Sequence, residues 1–209
     1  MAREKADFYI QRLRSYYGEP TTALKYSSPF QLLLAVILSA QTTDKQVNKV
    51  TPRLFAQYPT PEKLAAAHPD ELEKLIRGIG LFRNKARALI NTAQLLLRDF
   101  NGQVPGSREE LMSLPGVGRK SANVVLAVAF ARASFPVDTH VFRVSRRLGL
   151  SQGQTPEQVE KDVTAIYPEK EWIKFHHLLI SHGREICKAR RPLCSRCPVQ
   201  EECPSCIAV

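Results

Sequence analysis

Four dipeptides, Ser28-Pro29, Thr60-Pro61, His68-Pro69 and Thr155-Pro156, cut this chain into segments, and a helical pattern follows each of them. Proline has φ already set near the helical value and no amide hydrogen to offer, which suits the first turn of a helix and is costly further along. Nowhere does the chain sustain the apolar–polar alternation of a half-buried strand. The punctuation therefore predicts an all-α fold, with helices near 3–17, 29–40, 43–57, 61–67, 69–77, 82–100, 107–113, 119–131, 139–148, 155–166 and 171–186. Its 209 residues suffice for one large domain or two small ones with substantial cores, and a hydrophobic share of 44% makes the chain globular. The longest apolar run, Leu32 to Leu38, is only seven residues, far short of the roughly 20 that cross a bilayer. The first twenty residues carry charges throughout and no signal-peptide core, so the expectation is a cytoplasmic protein with no membrane partner.

Thirty basic residues against twenty acidic ones leave a formal charge of +10. Such an excess favours polyanionic partners, nucleic acid among them, although ribosomal and membrane-surface proteins share it. The charge is also unevenly spread. From Gly183 to Arg196 the chain holds Arg184, Lys188, Arg190, Arg191 and Arg196 against Glu185 alone.

Leu114-Pro115-Gly116-Val117-Gly118-Arg119-Lys120 wedges two glycines between two helical patterns. Without a Cβ, such a turn can take positive φ and bring its amides close to an anion. The helix that follows adds free N–H groups and its positive dipole end, so Gly116, Val117, Gly118 and Arg119 form a candidate phosphate-backbone site. The sequence echoes this 38 residues earlier, where Ile76-Arg77-Gly78-Ile79-Gly80 also precedes a helical run. Both copies read either as turns that touch one duplex or as ordinary helix C-caps with glycine in the left-handed region.

Lys120 falls in the first helical turn, where the helix field disfavours its charge. An amine left partly neutral can attack an anomeric carbon and form a Schiff base; equally, a lysine there can simply bind phosphate. Asp138, in Phe135-Pro136-Val137-Asp138-Thr139-His140-Val141, sits at an expected helix N-cap. It can stabilise a developing oxocarbenium ion or orient a nucleophile, or it can cap the helix and do no chemistry. His140 beside it reads as a local structural partner. Gln41 ends the apolar helix 32–40 and can either reach a base edge or cap that helix. Leu81 follows the first glycine turn and can act as an apolar wedge between bases or as core.

The cysteines form a third constellation, Cys187-x6-Cys194-x2-Cys197-x5-Cys203, with Cys206 left over. In a chain without a signal segment such crowding argues for a metal site rather than disulfides. A zinc site would pair Cys194-x2-Cys197 with Cys203-x2-Cys206 and leave Cys187 free. The uneven spacing of the first four suits a [4Fe–4S] cluster, whose thiolates need only reach separate irons. The loop between the first two ligands would then project Lys188, Arg190 and Arg191 towards phosphates, unless these are merely solvated charges.

Taken together, L-L-L-A-V-I-L-S-A-Q-T-T-D at 32–44, G-I-G-L at 78–81, L-P-G-V-G-R-K at 114–120, P-V-D-T-H-V at 136–141 and the cysteine spacing at 187–203 closely resemble the endonuclease III family of DNA glycosylases, within the helix-hairpin-helix superfamily. The likeness spans essentially the whole chain. It implies two helical lobes: a six-helix barrel over 22–132, with the hairpin at about 107–131, and a cluster domain made from 1–21 and 133–209. It also implies double-stranded DNA with a damaged base or abasic site as partner, bound by a monomer at the nucleoid, with the damaged nucleotide flipped out of the duplex. Lys120 would attack C1′ as an oxidised pyrimidine leaves, β-elimination would cut the strand, and Asp138 would assist. Gln41 and Leu81 would fill the gap, and Cys187, Cys194, Cys197 and Cys203 would hold a [4Fe–4S] cluster without a required redox step. Two residues depart from the pattern: Cys206 lies outside it, and Met112 stands where some relatives carry a carboxylate. The rival readings are a monofunctional mismatch glycosylase acting on adenine, or on thymine or uracil opposite guanine, and a non-catalytic iron–sulfur DNA-binding protein. Adenine-mismatch relatives lack a lysine at the position of Lys120.

Overall fold

Each of the four Xaa-Pro pairs opens a helix in the computed structural model, which describes residues 2–206. Among these residues the chain forms α1 (Ala2–Tyr17), α2 (Pro29–Ser39), α3 (Asp44–Gln57), α4 (Pro61–Ala65), α5 (Pro69–Leu75), α6 (Phe82–Asp99), α7 (Arg108–Met112), α8 (Arg119–Phe130), α9 (Thr139–Arg147), α10 (Pro156–Ile166) and α11 (Glu169–Glu185). Two 3₁₀ turns, Cys194–Arg196 and Gln200–Glu202, follow, and the described residues contain no strand. The fold is all-α, as the punctuation predicts.

The caps explain the starts. Ser28, Thr43, Thr60, Ser107 and Thr155 each accept a bond from the backbone N–H three residues on, and Thr155 with Gln158 completes a capping box. Each cap ties up an amide that the first turn would otherwise leave unpaired. α3 alone runs through an internal proline, Pro52, so the carbonyl of Asn48 gets no helical partner there.

The chain divides into two compact units, one reaching from the N-terminus to Thr22 and resuming at Ala133, the other Ala23–Arg132. In the second unit α2 is apolar on every side, with Phe30 and Leu32 to Leu38 all buried, which makes it the central helix. α3, α6 and α8 pack directly on it, α4 and α5 lie against α6, and α7 pairs with α8 as a hairpin. In the first unit α9 packs on α11 and α10, and α1 closes over α10 and α11. The α1 face Ala6, Tyr9, Ile10 and Leu13 is buried against Val141, Val144, Phe175 and Leu179. No described helix is long and apolar enough to cross a membrane.

Candidate active site and iron–sulfur segment

The two glycines of the hairpin turn serve different ends. Gly116 has φ +80°, and a Cβ there would meet Ile37 Cγ2 of α2 at 3.2 Å and Ala88 Cβ of α6 at 3.5 Å. It is needed both for its left-handed backbone and for the close approach of the hairpin to the core. Thr92 of α6 reinforces that approach by donating to the Pro115 carbonyl at 3.2 Å, while Leu114 and Val117 are buried beneath the turn. Gly118 is extended, with φ −92°, and nothing lies within 4 Å of where its Cβ would be. It is the N-cap of α8 and offers no side chain to cap it. Its bareness matters only to something approaching from outside. Lys120, the second residue of α8, is exposed beside it.

The earlier Gly-x-Gly copy is built differently. Neither Gly78 nor Gly80 has positive φ; the left-handed residue is Leu81, at φ +57°, the N-cap of α6. Its side chain is 63% exposed. Gln41 is the other exposed left-handed residue of this unit's candidates, at φ +55°. A non-glycine residue in this region costs about 1–2 kcal/mol, so the surroundings must hold each of them there. Lys85 does so for the Gln41 loop. Its buried Nζ donates to Leu38 O at 2.9 Å, Ala40 O at 2.6 Å and Thr42 Oγ1 at 3.0 Å, and burial lowers its pKa. Gln46 holds the other loop, donating through Nε2 to Gly78 O at 2.9 Å. Sequence reasoning passed over both residues, because their partners lie 32–47 residues away along the chain.

Asp138 lies in the other unit, as the N-cap of α9. Its Oδ1 accepts from the amides of His140 and Val141, both at 2.8 Å. Both bonds end on one oxygen, and among the described residues none ends on Oδ2. Capping and chemistry are thus compatible in one carboxylate. His140 sits against Arg143, with Nδ1 3.3 Å from Nη2, and a Cβ on Gly183 of α11 would touch both side chains.

Cys187, Cys194, Cys197 and Cys203 line one cavity of about 290 Å³, together with Arg147 and His182. Arg147 donates to Cys187 Sγ at 3.5 Å and to the carbonyls of Lys188 at 2.7 Å and Ala189 at 3.1 Å. Arg143 reaches Gly183 O and Cys187 O. His182 is buried, with Nε2 3.6 Å from Cys197 Sγ and Nδ1 3.1 Å from the Tyr17 hydroxyl. Tyr9 of α1 donates to the carbonyls of Leu148 and Glu202, stitching the segment to the helices. The loop between the first two cysteines exposes Lys188, Arg190 and Arg191, the last with φ +51°. Cys206 is not among the residues lining the cavity.

Residues 34–169 match the family model of the HhH-GPD superfamily of base excision DNA repair proteins, and residues 187–203 match the iron–sulfur binding domain of endonuclease III. The chain is 46% identical over 204 residues to endonuclease III of Synechocystis sp., covering 97% of this chain and 93% of that one. It is 50% identical over 186 residues to endonuclease III of Rickettsia prowazekii, covering 88% and 87%. Among solved structures, a trapped endonuclease III–DNA covalent intermediate superposes with a TM-score of 0.93 at 45% identity, over 98% of this chain and 97% of that chain. The chain belongs to the endonuclease III family. With that membership goes the activity of a base excision repair DNA glycosylase and abasic-site lyase.

The family's cofactor is a [4Fe–4S] cluster, and the thiols here suit one. A tetrahedral zinc draws its sulfurs to about 2.3 Å from a single point. Here four thiols, those of Cys187, Cys194, Cys197 and Cys203, surround a shared cavity. A group of several irons and sulfides needs a cavity of this kind. Burial pushes the Cys197 thiol up to about 11 and raises that of Cys203 too.

Proposed function

We propose that this endonuclease III relative removes oxidised pyrimidines from duplex DNA in the cytoplasm, acting as a monomer, and cuts the resulting abasic strand through a Schiff base at Lys120. The observation that carries this reading is an exposed amine in the first turn of a helix whose N-cap is a bare glycine. A phosphate settles at that end of α8, against first-turn amides and the positive dipole, and so brings the neighbouring sugar within reach of Lys120. The Nζ lone pair attacks C1′ while the base departs with the electrons of the glycosidic bond and takes up a proton. Loss of the amine proton and opening of the sugar give the iminium. Removal of a C2′ proton then expels the 3′ phosphate, and water releases Lys120. Asp138 offers Oδ2 to the positive charge that develops at C1′, while its Oδ1 stays with the helix.

Gln41 and Leu81, both exposed and both held in the left-handed region, fill the gap that the extruded nucleotide leaves. Gly116, Val117, Gly118 and Arg119 grip the strand at the hairpin, and Lys188, Arg190 and Arg191 add phosphate contacts from the cysteine loop. Cys187, Cys194, Cys197 and Cys203 ligate the cluster, which fixes that loop and supplies no step of base removal.

Borohydride trapping tests the reading. The wild-type protein is expected to form a covalent adduct with abasic duplex DNA, and Lys120→Ala to form none. Equal trapping by both proteins would sink the lyase assignment to Lys120, and excision of a mismatched base without nicking would favour the monofunctional rival.

A further inference from the structure

We propose that Lys85 is a positioning residue that locks the Gln41 loop and joins it mechanically to Leu81, so that the two gap-filling side chains are presented as one unit. The inference rests on the reading of Gln41 and Leu81 given above. A lysine ammonium has three hydrogens to give, and Lys85 has three acceptors: Leu38 O, Ala40 O and Thr42 Oγ1. Nothing is left over for DNA or solvent, and the side chain is only 7% exposed. Two of the acceptors flank the end of α2, where carbonyls lack helical partners and the dipole favours a cation. The third lies on the far side of Gln41. The ammonium thus spans the left-handed residue from both sides, bonding to the chain immediately before it and immediately after it.

The same residue also holds Leu81. Lys85 N donates to Leu81 O at 3.0 Å, the first helical bond of α6. One residue therefore fastens the Leu81 carbonyl through its backbone and the Gln41 loop through its side chain. The loops also lie next to each other, since a Cβ on Gly80 would come within 4.0 Å of Thr42 Oγ1. Removing the ammonium frees the 40–42 loop to relax out of the left-handed region, and Gln41 then meets the duplex in many orientations.

The test uses holoprotein of Lys85→Met, Thr42→Val, Gln41→Ala and the double variant Lys85→Met/Gln41→Ala, with intact cluster absorbance as the check on folding. Base extrusion is followed by the fluorescence of 2-aminopurine placed beside a lesion in duplex DNA, and chemistry by single-turnover excision. Trapping on a single-stranded abasic oligonucleotide, which has no gap to fill, is the control. Lys85→Met is expected to slow extrusion and duplex excision about tenfold, equivalent to about 1.4 kcal/mol, with single-stranded trapping unchanged. Thr42→Val, which removes one acceptor, is expected to show a smaller loss of the same kind and keeps the test decisive if Lys85→Met does not fold. On the Gln41→Ala background the Lys85 effect is expected to vanish, because Lys85 acts through Gln41. Full additivity of the two substitutions, or equal losses on single and double strands, would overturn the proposal. An unaltered Gln41→Ala protein would instead overturn the gap-filling reading beneath it.

Discussion

Single atoms separate the two glycines of the hairpin. Gly116 is required by its own backbone and by Ile37, whereas Gly118 is required by nothing inside the protein. Gly116→Ala is expected to destabilise the fold by about 1–2 kcal/mol, read as a lower urea midpoint. Gly118→Ser should do the opposite to the fold, since serine caps a helix at least as well as glycine. On the proposed reading it should also weaken binding to abasic duplex DNA, because its Cβ would stand in open space at the end of α8 where a phosphate is proposed to sit. A serine variant that gained stability with no loss of affinity would remove the hairpin from the interface. Asp138 separates in the same way. Asn caps as well as Asp, so Asp138→Asn is expected to keep its thermal midpoint while losing about 10²–10⁴-fold in single-turnover excision. Sequence reasoning left Asp138 open between cap and chemistry. It could not say how two backbone bonds are shared between two oxygens, and here both fall on one.

Helices were the most legible level. Their starts were written in proline and hydroxyl residues, and the observed boundaries lie within two residues of those expected. The 78–81 turn was legible as a turn but not in its conformation, because a glycine pattern says that left-handed backbone is affordable without saying which residue takes it; Leu81 does. Buried side-chain clamps were not legible either. Lys85, Gln46, Arg147 and His182 act on partners 32–47 residues distant in the first two cases and across the cysteine segment in the others, and no local pattern marks such pairs. Arg147 reaches one thiol and two carbonyls of the basic loop, so Arg147→Met is expected to hasten loss of visible cluster absorbance under chelator. The loop itself should be felt as charge. Replacing Lys188, Arg190 and Arg191 together by Gln is expected to flatten the slope of log affinity against log salt by about 2–3. A slope equal to that of the wild type would leave these three as solvated charges.

At the scale of the molecule, pH provides a probe of the first unit. Burial, and then the nearby Arg184, bring His177 of α11 down to about 4. The folded form keeps this ring neutral while the unfolded chain protonates it near 6.5, so stability is lost as pH falls from about 6.5 to about 4. At about 1.4 kcal/mol per unit, His177 accounts for up to about 3 kcal/mol of that fall. His177→Gln should flatten urea midpoints against pH within this window, and an unchanged profile would reject the assignment. The order in which the units lie along the chain has a consequence during synthesis. Ala23–Arg132 is one unbroken stretch and can finish folding as soon as it clears the ribosome. Residues 2–22, made earlier, have to wait for α9, α10 and α11, and Tyr9 of α1 meets the carbonyl of Glu202 only when one of the last described residues is made. The segment that bears Lys120 is therefore in place before the cysteines emerge. α1, made well before the helices it packs on, docks late, and the Tyr9 hydroxyl it carries is then in place to fasten the cysteine segment as that segment emerges.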